Sequence, residues 1–591
     1  MKKYILMMVS SMMLVSCVDT IILPDDKTVD EDYWQNKAHV QAMVNAAYAA
    51  MASDNIIARL YVWGDFRTDE LLGPSENVKV STTRDALKEM AAVNMQTTNM
   101  FADWSDLYAV INRCNIVLDR AEAVMSIDPS YTKGDYEVDR SQMLALRALC
   151  YFYLVRNFRD VPYVTEAYMN SSQNTQVAQS SPDYVLDQCI KDLEEAAKTP
   201  LSARGYQKNQ WQHSGYMTDD AINTLLADIY LWRASVNHSQ EDYAQCVAYC
   251  DKVIESKKNQ HVKTAGETED SEYPLAKASE MYTKLYIDQN AEESIFELQS
   301  RANSALLNYY YMYEKAQGNG GEGWLNATPI FGNTSSVYNT TTFLSNANLF
   351  SVSDLRYYAA CYLPSTADKS YSVRKMVSTA AVTSKTSTTK REAYTYGAFN
   401  TNLNIYRLSD VILMKAEALV QQVDTLAEEA VQTDLLHNAF WLVKAINDRA
   451  RHQDNKADSI QWNGTASTNR FRTLKKDDFE KVVMQERMRE FCFEGRRWYD
   501  LMRYNYRHVE GIDYKRTLAE INGSGEALVA NYTEMLALAT RQRGTEASGV
   551  QAKMINEAYL YMPIPNSDIV ICPLLKQNPV YSNNTEYEKT Y

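Results

Sequence analysis

The sequence predicts a fold dominated by α-helices, arranged as successive helix pairs and interrupted by one long loop-rich insert. Three observations carry that expectation. Apolar residues recur at helical spacing within residues 98–255 and 406–503; Ile222, Leu225, Leu226 and Ile229 form one such stripe. Helix start signals punctuate these stretches, each setting a capping oxygen or an acid against the open N–H groups of a first turn. Residues 258–405 follow no such period and are rich in Tyr, Asn, Ser, Thr and Gly.

In chain order, the first segment is a leader. Lys2 and Lys3 precede an apolar run from Tyr4 to Val15. The run is too short for a bilayer, which takes about 20 residues to cross. It ends in Leu14-Val15-Ser16-Cys17, which resembles a bacterial lipobox. That resemblance implies removal of residues 1–16 and lipidation of Cys17. Acyl chains bury about 0.8 kcal/mol per CH₂, so several of them hold a protein on a membrane. Residues 17–30, with Pro24, Asp25 and Asp26, read as a lipidated tether. Residues 31–591 read as one domain: a helical scaffold over about 31–257 and 406–510, an insert over about 258–405 and a C-terminal extension over 511–591.

Within the scaffold, Ser181-Pro182-Asp183 opens a helix that continues through Leu186, Cys189, Ile190 and Leu193. Thr218-Asp219-Asp220 opens the next, and Ser239 with Asp242 suggests a capping box before a third. The last two form a pair with a short connection. Leu226, Ala227 and Tyr230 facing Tyr243 fit tetratricopeptide spacing, in which a small residue admits the partner helix and aromatics fill the gap. Further helices are predicted over 98–124, 136–157, 406–421, 434–451 and 475–503. Residues 54–97, which include Trp63-Gly64-Asp65-Phe66-Arg67-Thr68-Asp69-Glu70, are predicted to be irregular. The 258–405 stretch is too long for a structureless loop and should pack on the helices.

Composition limits the function classes. Hydrophobic residues make up 46% and charged residues 23% of the 591-residue chain, as in globular proteins. The net charge of −15 becomes −17 when Lys2 and Lys3 leave with the leader. That balance disfavours nucleic acid, which demands Lys and Arg against phosphates. Of nine cysteines only Cys246 and Cys250 are close; with no histidine nearby they read as core rather than as a zinc pair.

Local catalytic motifs are absent from the sequence. Gly318-Asn319-Gly320-Gly321-Glu322-Gly323 has the letters of a dinucleotide loop, but follows Tyr309-Tyr310-Tyr311-Met312-Tyr313 instead of a buried strand. None of the seven histidines forms a close ligand pair. The densest charged motif runs from Glu486 to Arg503. Two readings compete there. Glu490 and Glu494 are spaced as a catalytic carboxylate pair. Alternatively, one helix buries Met484, Met488, Phe491, Trp498 and Leu501 while Glu494–Arg497, Arg496–Asp500 and Asp500–Arg503 pair along it. The balanced charges favour the second reading. Gly495, costly by about 1 kcal/mol in a helix, then marks a close packing contact.

These same residues carry a family resemblance. Glu486-Arg487, Glu490-Phe491, Glu494-Gly495, Arg497-Trp498, Asp500-Leu501 and Arg503 closely resemble the signature of the RagB/SusD family of outer-membrane nutrient-binding lipoproteins. Leu107-Tyr108 to Asn115, Leu146-Arg147-Ala148 to Pro162, and Tyr406-Arg407-Leu408 to Ala418 resemble its other blocks, with Asp410 where the family often has Glu. Met562-Pro563-Ile564-Pro565 and Asn578-Pro579-Val580-Tyr581 are similar to its C-terminal ending. The resemblance implies four tetratricopeptide-like helix pairs, an irregular ligand region and no enzymatic activity or cofactor. It implies a surface lipoprotein of the outer membrane that captures oligosaccharides, or in some members peptides. Captured ligand would pass to a SusC-type TonB-dependent transporter. A tetratricopeptide-type protein-interaction scaffold is the alternative outside nutrient uptake.

A sugar binder needs aromatic planes for C–H faces, with amides, carboxylates or guanidinium groups around them. Two non-helical regions supply that mixture. One holds Trp63, Asp65, Arg67 and Asp69; the other holds Tyr309, Tyr311, Tyr313, Trp324 and Asn326. Segment 314–350 departs from the glycine-rich pattern common in the family, so no residue-level motif carries these positions over.

Overall fold

The computed structural model describes residues 33–74, 81–202, 210–261, 273–277, 280–299, 326–334, 338–344, 348–351, 353–362, 371–373, 375, 401–451, 459–464, 470–526, 528, 534, 536–537 and 547–585. Helices dominate these residues. The scaffold comprises α1 (Lys37–Met51), α2 (Asp54–Asp65), α3 (Thr82–Ala91), α4 (Ser105–Val124), α5 (Lys133–Phe158), α6 (Pro182–Ala196), α7 (Asp219–Asn237) and α8 (Gln240–Gln260). After the insert come α9 (Leu408–Gln421), α10 (Glu429–Arg449), α11 (Lys476–Phe491) and α12 (Arg497–Arg507).

The helices pack as tetratricopeptide-like pairs: α1 with α4, α5 with α6, α7 with α8 and α9 with α10. No pair covers its own apolar faces, so adjacent pairs stack, α4 on α5 and α8 on α9. The α7–α8 pair shows how local sequence sets this up. The Thr218 hydroxyl accepts the Ala221 N–H at the start of α7. His238, in a left-handed conformation, ends it, and Ser239 accepts the Asp242 N–H to begin α8. Ala227 and Tyr243 are buried between the helices, as the spacing predicts. The Ser239 box is only half formed, because the Asp242 carboxylate is taken by Arg233 in two bonds of 2.7 Å.

Two expectations are corrected here. Within 54–97, Asp54–Asp65 and Thr82–Ala91 are helical, not irregular. Ser53 and Ser81 cap α2 and α3 by accepting the N–H of Ile56 and Arg84. Every residue of α2 from Ile56 to Asp65 is buried, so no polar face was there to reveal a helical period. The predicted helix over 475–503 is two helices. The chain breaks at Cys492–Arg496, where Phe493 and Gly495 take φ of 62° and 72°.

The insert is framed by β1 (Ser294–Leu298) and β5 (Leu403–Arg407), an antiparallel pair. Between them, β2 (Asn326–Ala327), β3 (Cys361–Tyr362) and β4 (Tyr371–Val373) form a small sheet in the order β2-β4-β3. One hydrophobic cluster runs from Trp34 to Tyr581 and joins both parts of the scaffold, the insert and the C-terminal extension. Cys246 and Cys250 lie within it as buried free thiols.

Candidate functional site

The predicted ligand segment Trp63–Asp69 is interior. Trp63, Asp65 and Arg67 are 0% exposed and Asp69 is 2% exposed, so no ring or charge there is open to a ligand. The reason is chemical: each of these side chains is tied to a partner inside the protein through at least one polar atom. The Trp63 indole N–H donates to the Phe101 carbonyl at 2.7 Å. Arg67 donates to the Leu560 carbonyl at 2.7 Å and lies 4.1 Å from the Trp498 ring centre. Asp69 receives Arg497 through two bonds of 2.9 Å. The segment is a socket for the signature motif, not a stacking surface.

The contact depends on glycine. A Cβ on Gly64 would lie 1.9 Å from the Gly495 carbonyl oxygen, so α2 meets the 492–496 turn backbone to backbone. Two acids on the α2 side hold that turn: Asp65 accepts the Gly495 N–H and Glu70 the Phe493 N–H, both at 3.0 Å. The second oxygen of each has no hydrogen-bond partner among the described residues. Burial pushes Asp65 up to about 7 and Glu70 well above the ordinary carboxylate range. Gly495 thus marks a close contact, as its cost suggests, but as a left-handed hinge instead of a mid-helix residue.

Glu490 and Glu494 sit beyond this turn in a buried ionic cluster. Arg407 donates to Glu490 at 2.5 Å and to Glu494 at 2.9 Å. Arg356 reaches Glu486 and Glu490 at 2.9 Å, Arg449 bonds Glu490, and Lys375 lies 2.6 Å from Glu494. Burial alone would raise both acids. Arg449, Arg407 and Arg356 instead hold Glu490 well below the ordinary range, and Arg407 and Lys375 hold Glu494 at about 2. A general acid must keep its proton near working pH, and neither group does. Their chemistry is that of fixed charges locking β5, α10, α11 and the insert together.

The predicted pairs along one helix also change partners. Only Asp500–Arg503 forms, at 2.7 Å. Arg496 binds Asp410, Arg497 binds Asp69 and Glu494 binds Arg407; the break at 492–496 separates Glu494 from Arg497, and Asp500 is taken by Arg487 and Arg503. The partners Arg356, Lys375 and Arg449 carry no sequence signal, and Arg407 stands out only as part of a family block. An arginine directly after Leu403, Ile405 and Tyr406 in the strand Leu403–Arg407 was the available signal.

The structure does bring the two predicted ligand regions together at their edges. Leu71 bridges to Ala327, and the Thr328 hydroxyl and N–H donate to the carbonyls of Asp69 and Glu70 at 2.6 and 2.9 Å. The backbone of Asn326 pairs with Ser372 beside this junction. Tyr309, Tyr311, Tyr313, Trp324 and the leader with Cys17 lie outside the described residues, as does the Asn326 side chain.

A model of the SusD family matches residues 292–581, and a second, described as starch-binding associating with outer membrane, matches 24–231. SusD-like protein P38 of Formosa agariphila is 22% identical over 85% of this chain and 90% of its own. SusD-like protein P2 of the same organism is 24% identical over 85% and 91%. Among solved structures, a SusD superfamily protein from Bacteroides vulgatus covers 92% of this chain and 99% of its own, with a TM-score of 0.64 and 17% identity. A SusD homolog from Bacteroides thetaiotaomicron covers 94% and 98%, with a TM-score of 0.63 and 18% identity.

Proposed function

Because this chain belongs to the SusD family, we propose that it is a cell-surface lipoprotein that binds oligosaccharide nutrients and delivers them to a SusC-type TonB-dependent transporter in the outer membrane. The observation that carries the proposal is the match of two family models to both halves of the chain, scaffold and signature alike. The family's outer-membrane association fits anchoring by lipid at Cys17, and no helix among the described residues is long and apolar enough to cross a membrane. The protein acts as a binder and not as an enzyme. The insert supplies the ligand face, with Tyr309, Tyr311, Tyr313, Trp324 and Asn326 as its contacts.

What supports this division of labour is mechanical. Binding and hand-over ask for a rigid body and an accessible face. The rigid body is the helical stack clamped by the signature cluster, and the insert is fastened to it at β1–β5 and at Leu71–Ala327. The test has two arms. Pull-down of the full chain from detergent-solubilised membranes should bring a large TonB-dependent barrel with it. Incubation with oligosaccharides should leave their chain lengths unchanged. Shortened products at stoichiometric yield would reject the binder, recovery of soluble proteins without a barrel would favour an interaction scaffold, and retention of peptides but no glycan would assign peptide capture.

A further inference from the structure

Away from the buried signature, one exposed aromatic patch has a built polar border. Trp211 is 45% exposed at the start of a single helical turn, Gln212–Gly215. Its ring edge is seated against Gly215, where a Cβ would lie 2.8 Å from Cε3. Tyr216 stands 5.0 Å from Tyr48, edge to face, and 5.1 Å from Trp211 between ring centres. Tyr48 is itself held by the Met217 N–H at 2.9 Å and by Gln142 at 3.1 Å, so the two outer rings rest on a fixed base.

The border is a ladder of amides. Ser214 Oγ and Gln299 Nε2 donate to Asn290 Oδ1 at 2.7 and 2.9 Å, and Asn402 Nδ2 donates to Gln299 Oε1 at 3.1 Å. The Cγ of Gln299 lies 3.2 Å from the same Gly215 Cβ position that Trp211 crowds, so rings and amides meet at one point. What sets this half-exposed indole apart is the row of fixed amides beside it. Indole faces stack on the C–H faces of pyranose rings, and oriented amides offer donors and acceptors to the hydroxyls at the ring edge.

We infer that Trp211, Tyr216, Asn290 and Gln299 form a saccharide subsite for a neutral oligosaccharide, separate from the Trp63 and Trp324 regions. The inference rests on the glycan-binding reading above. Neutral sugars are assigned because, among the described residues, the border presents amides and a hydroxyl, with the Glu297 carboxylate buried behind them and bonded to Asn402 and to the Asn290 N–H. In sequence, Gln299 directly precedes residues 300–325, which carry Tyr309, Tyr311, Tyr313 and Trp324.

The test is native affinity electrophoresis of the full chain in mild detergent. Gels would contain amylopectin, laminarin, xyloglucan, galactomannan or polygalacturonate. The wild type should be retarded in at least one neutral-glycan gel. Trp211→Ala should weaken that retardation by about tenfold, the scale of a lost aromatic anchor, with an unchanged melting temperature. Trp441→Ala, which removes another half-exposed indole, should change nothing. Retardation of Trp211→Ala equal to wild type overturns the subsite, and does so while leaving the family function intact if Trp324→Ala loses binding. Retardation by polygalacturonate alone overturns the neutral-sugar assignment. A wild type retarded in none of the gels overturns both the subsite and glycan capture.

Discussion

Replacing Gly64 with alanine should destabilise the protein although alanine is the better helix former. The propensity gain is about 1 kcal/mol in favour of alanine. Against it, the new Cβ would lie 1.9 Å from the Gly495 oxygen and 2.0 Å from its carbonyl carbon, both backbone atoms that no rotamer change can move. Ordinary carbon–oxygen contacts need more than an ångström of further separation, so α2 and the 492–496 turn must part. Overpacking of this kind costs about 1–3 kcal/mol. Parting also stretches the hydrogen bonds from Gly495 to Asp65 and from Phe493 to Glu70. A buried bond to an acid contributes about 1.5–3 kcal/mol when ionised and less when neutral. The net expectation is a loss of about 2–5 kcal/mol. At about 2.1 cal/mol/K per residue, the unfolding entropy of 591 residues is about 1.2 kcal/mol/K. The melting temperature should therefore fall by only about 2–4 °C, within reach of scanning calorimetry. Gly549→Ala is the matched control: it lies in a helix, and its Cβ meets nothing within 4 Å. It should be neutral or slightly stabilising. If Gly64→Ala melts with or above Gly549→Ala, the backbone contact between α2 and the signature turn does not exist as described.

Three other outcomes are expected. Asp65 is raised from an unfolded value of about 3.9 to about 7, so its contribution is fully present at low pH and is lost as pH rises through 7. Asp65→Asn should therefore gain on wild type between pH 4.5 and 7.5 in urea unfolding, and an equal gap at both pH values would refute the shift. Arg407→Met strips the shared cation from Glu490 and Glu494, both buried, and should cost about 3–5 kcal/mol, seen as a lower urea midpoint or as insoluble protein; a midpoint like that of wild type would count against the cluster. Cys17→Ala should leave the membrane fraction, and a variant that still sediments with membranes and stays protease-accessible on cells would contradict lipid anchoring.

How legible the fold was depended on how local its cause is. The α7–α8 pair is written within a few dozen residues, from the Thr218 cap to Tyr243, and a short window captures it. The signature was legible as a motif but not as a shape. Its ion pairs were assigned by helical spacing, which holds only while the helix continues, and the left-handed Phe493 and Gly495 end it. The Trp63–Asp69 segment failed for a different reason. Exposed tryptophan with Asp and Arg around it and buried tryptophan with those same groups paired have one composition. The difference lies in Arg497, 428 residues away from Asp69, which no local pattern announces. The full burial of α2 hid it in the same way, since period requires a polar face.

The clamp also sets the order in which the protein can be made. Asp69 waits for Arg497, Asp65 for the Gly495 N–H, and Glu70 for the Phe493 N–H. Arg407 meets two of its three carboxylates, and Arg449 one of its two, only when α11 and the turn after it arrive. A nascent chain halted near residue 475 has its helix pairs but carries unmatched charges wherever α2 and β5 would close. Burying such charges costs several kcal/mol each, so the closure of α2 and β5 around the clamp should wait for the last fifth of the polypeptide. A protein assembled around a late-arriving keystone remains threadable for most of its synthesis.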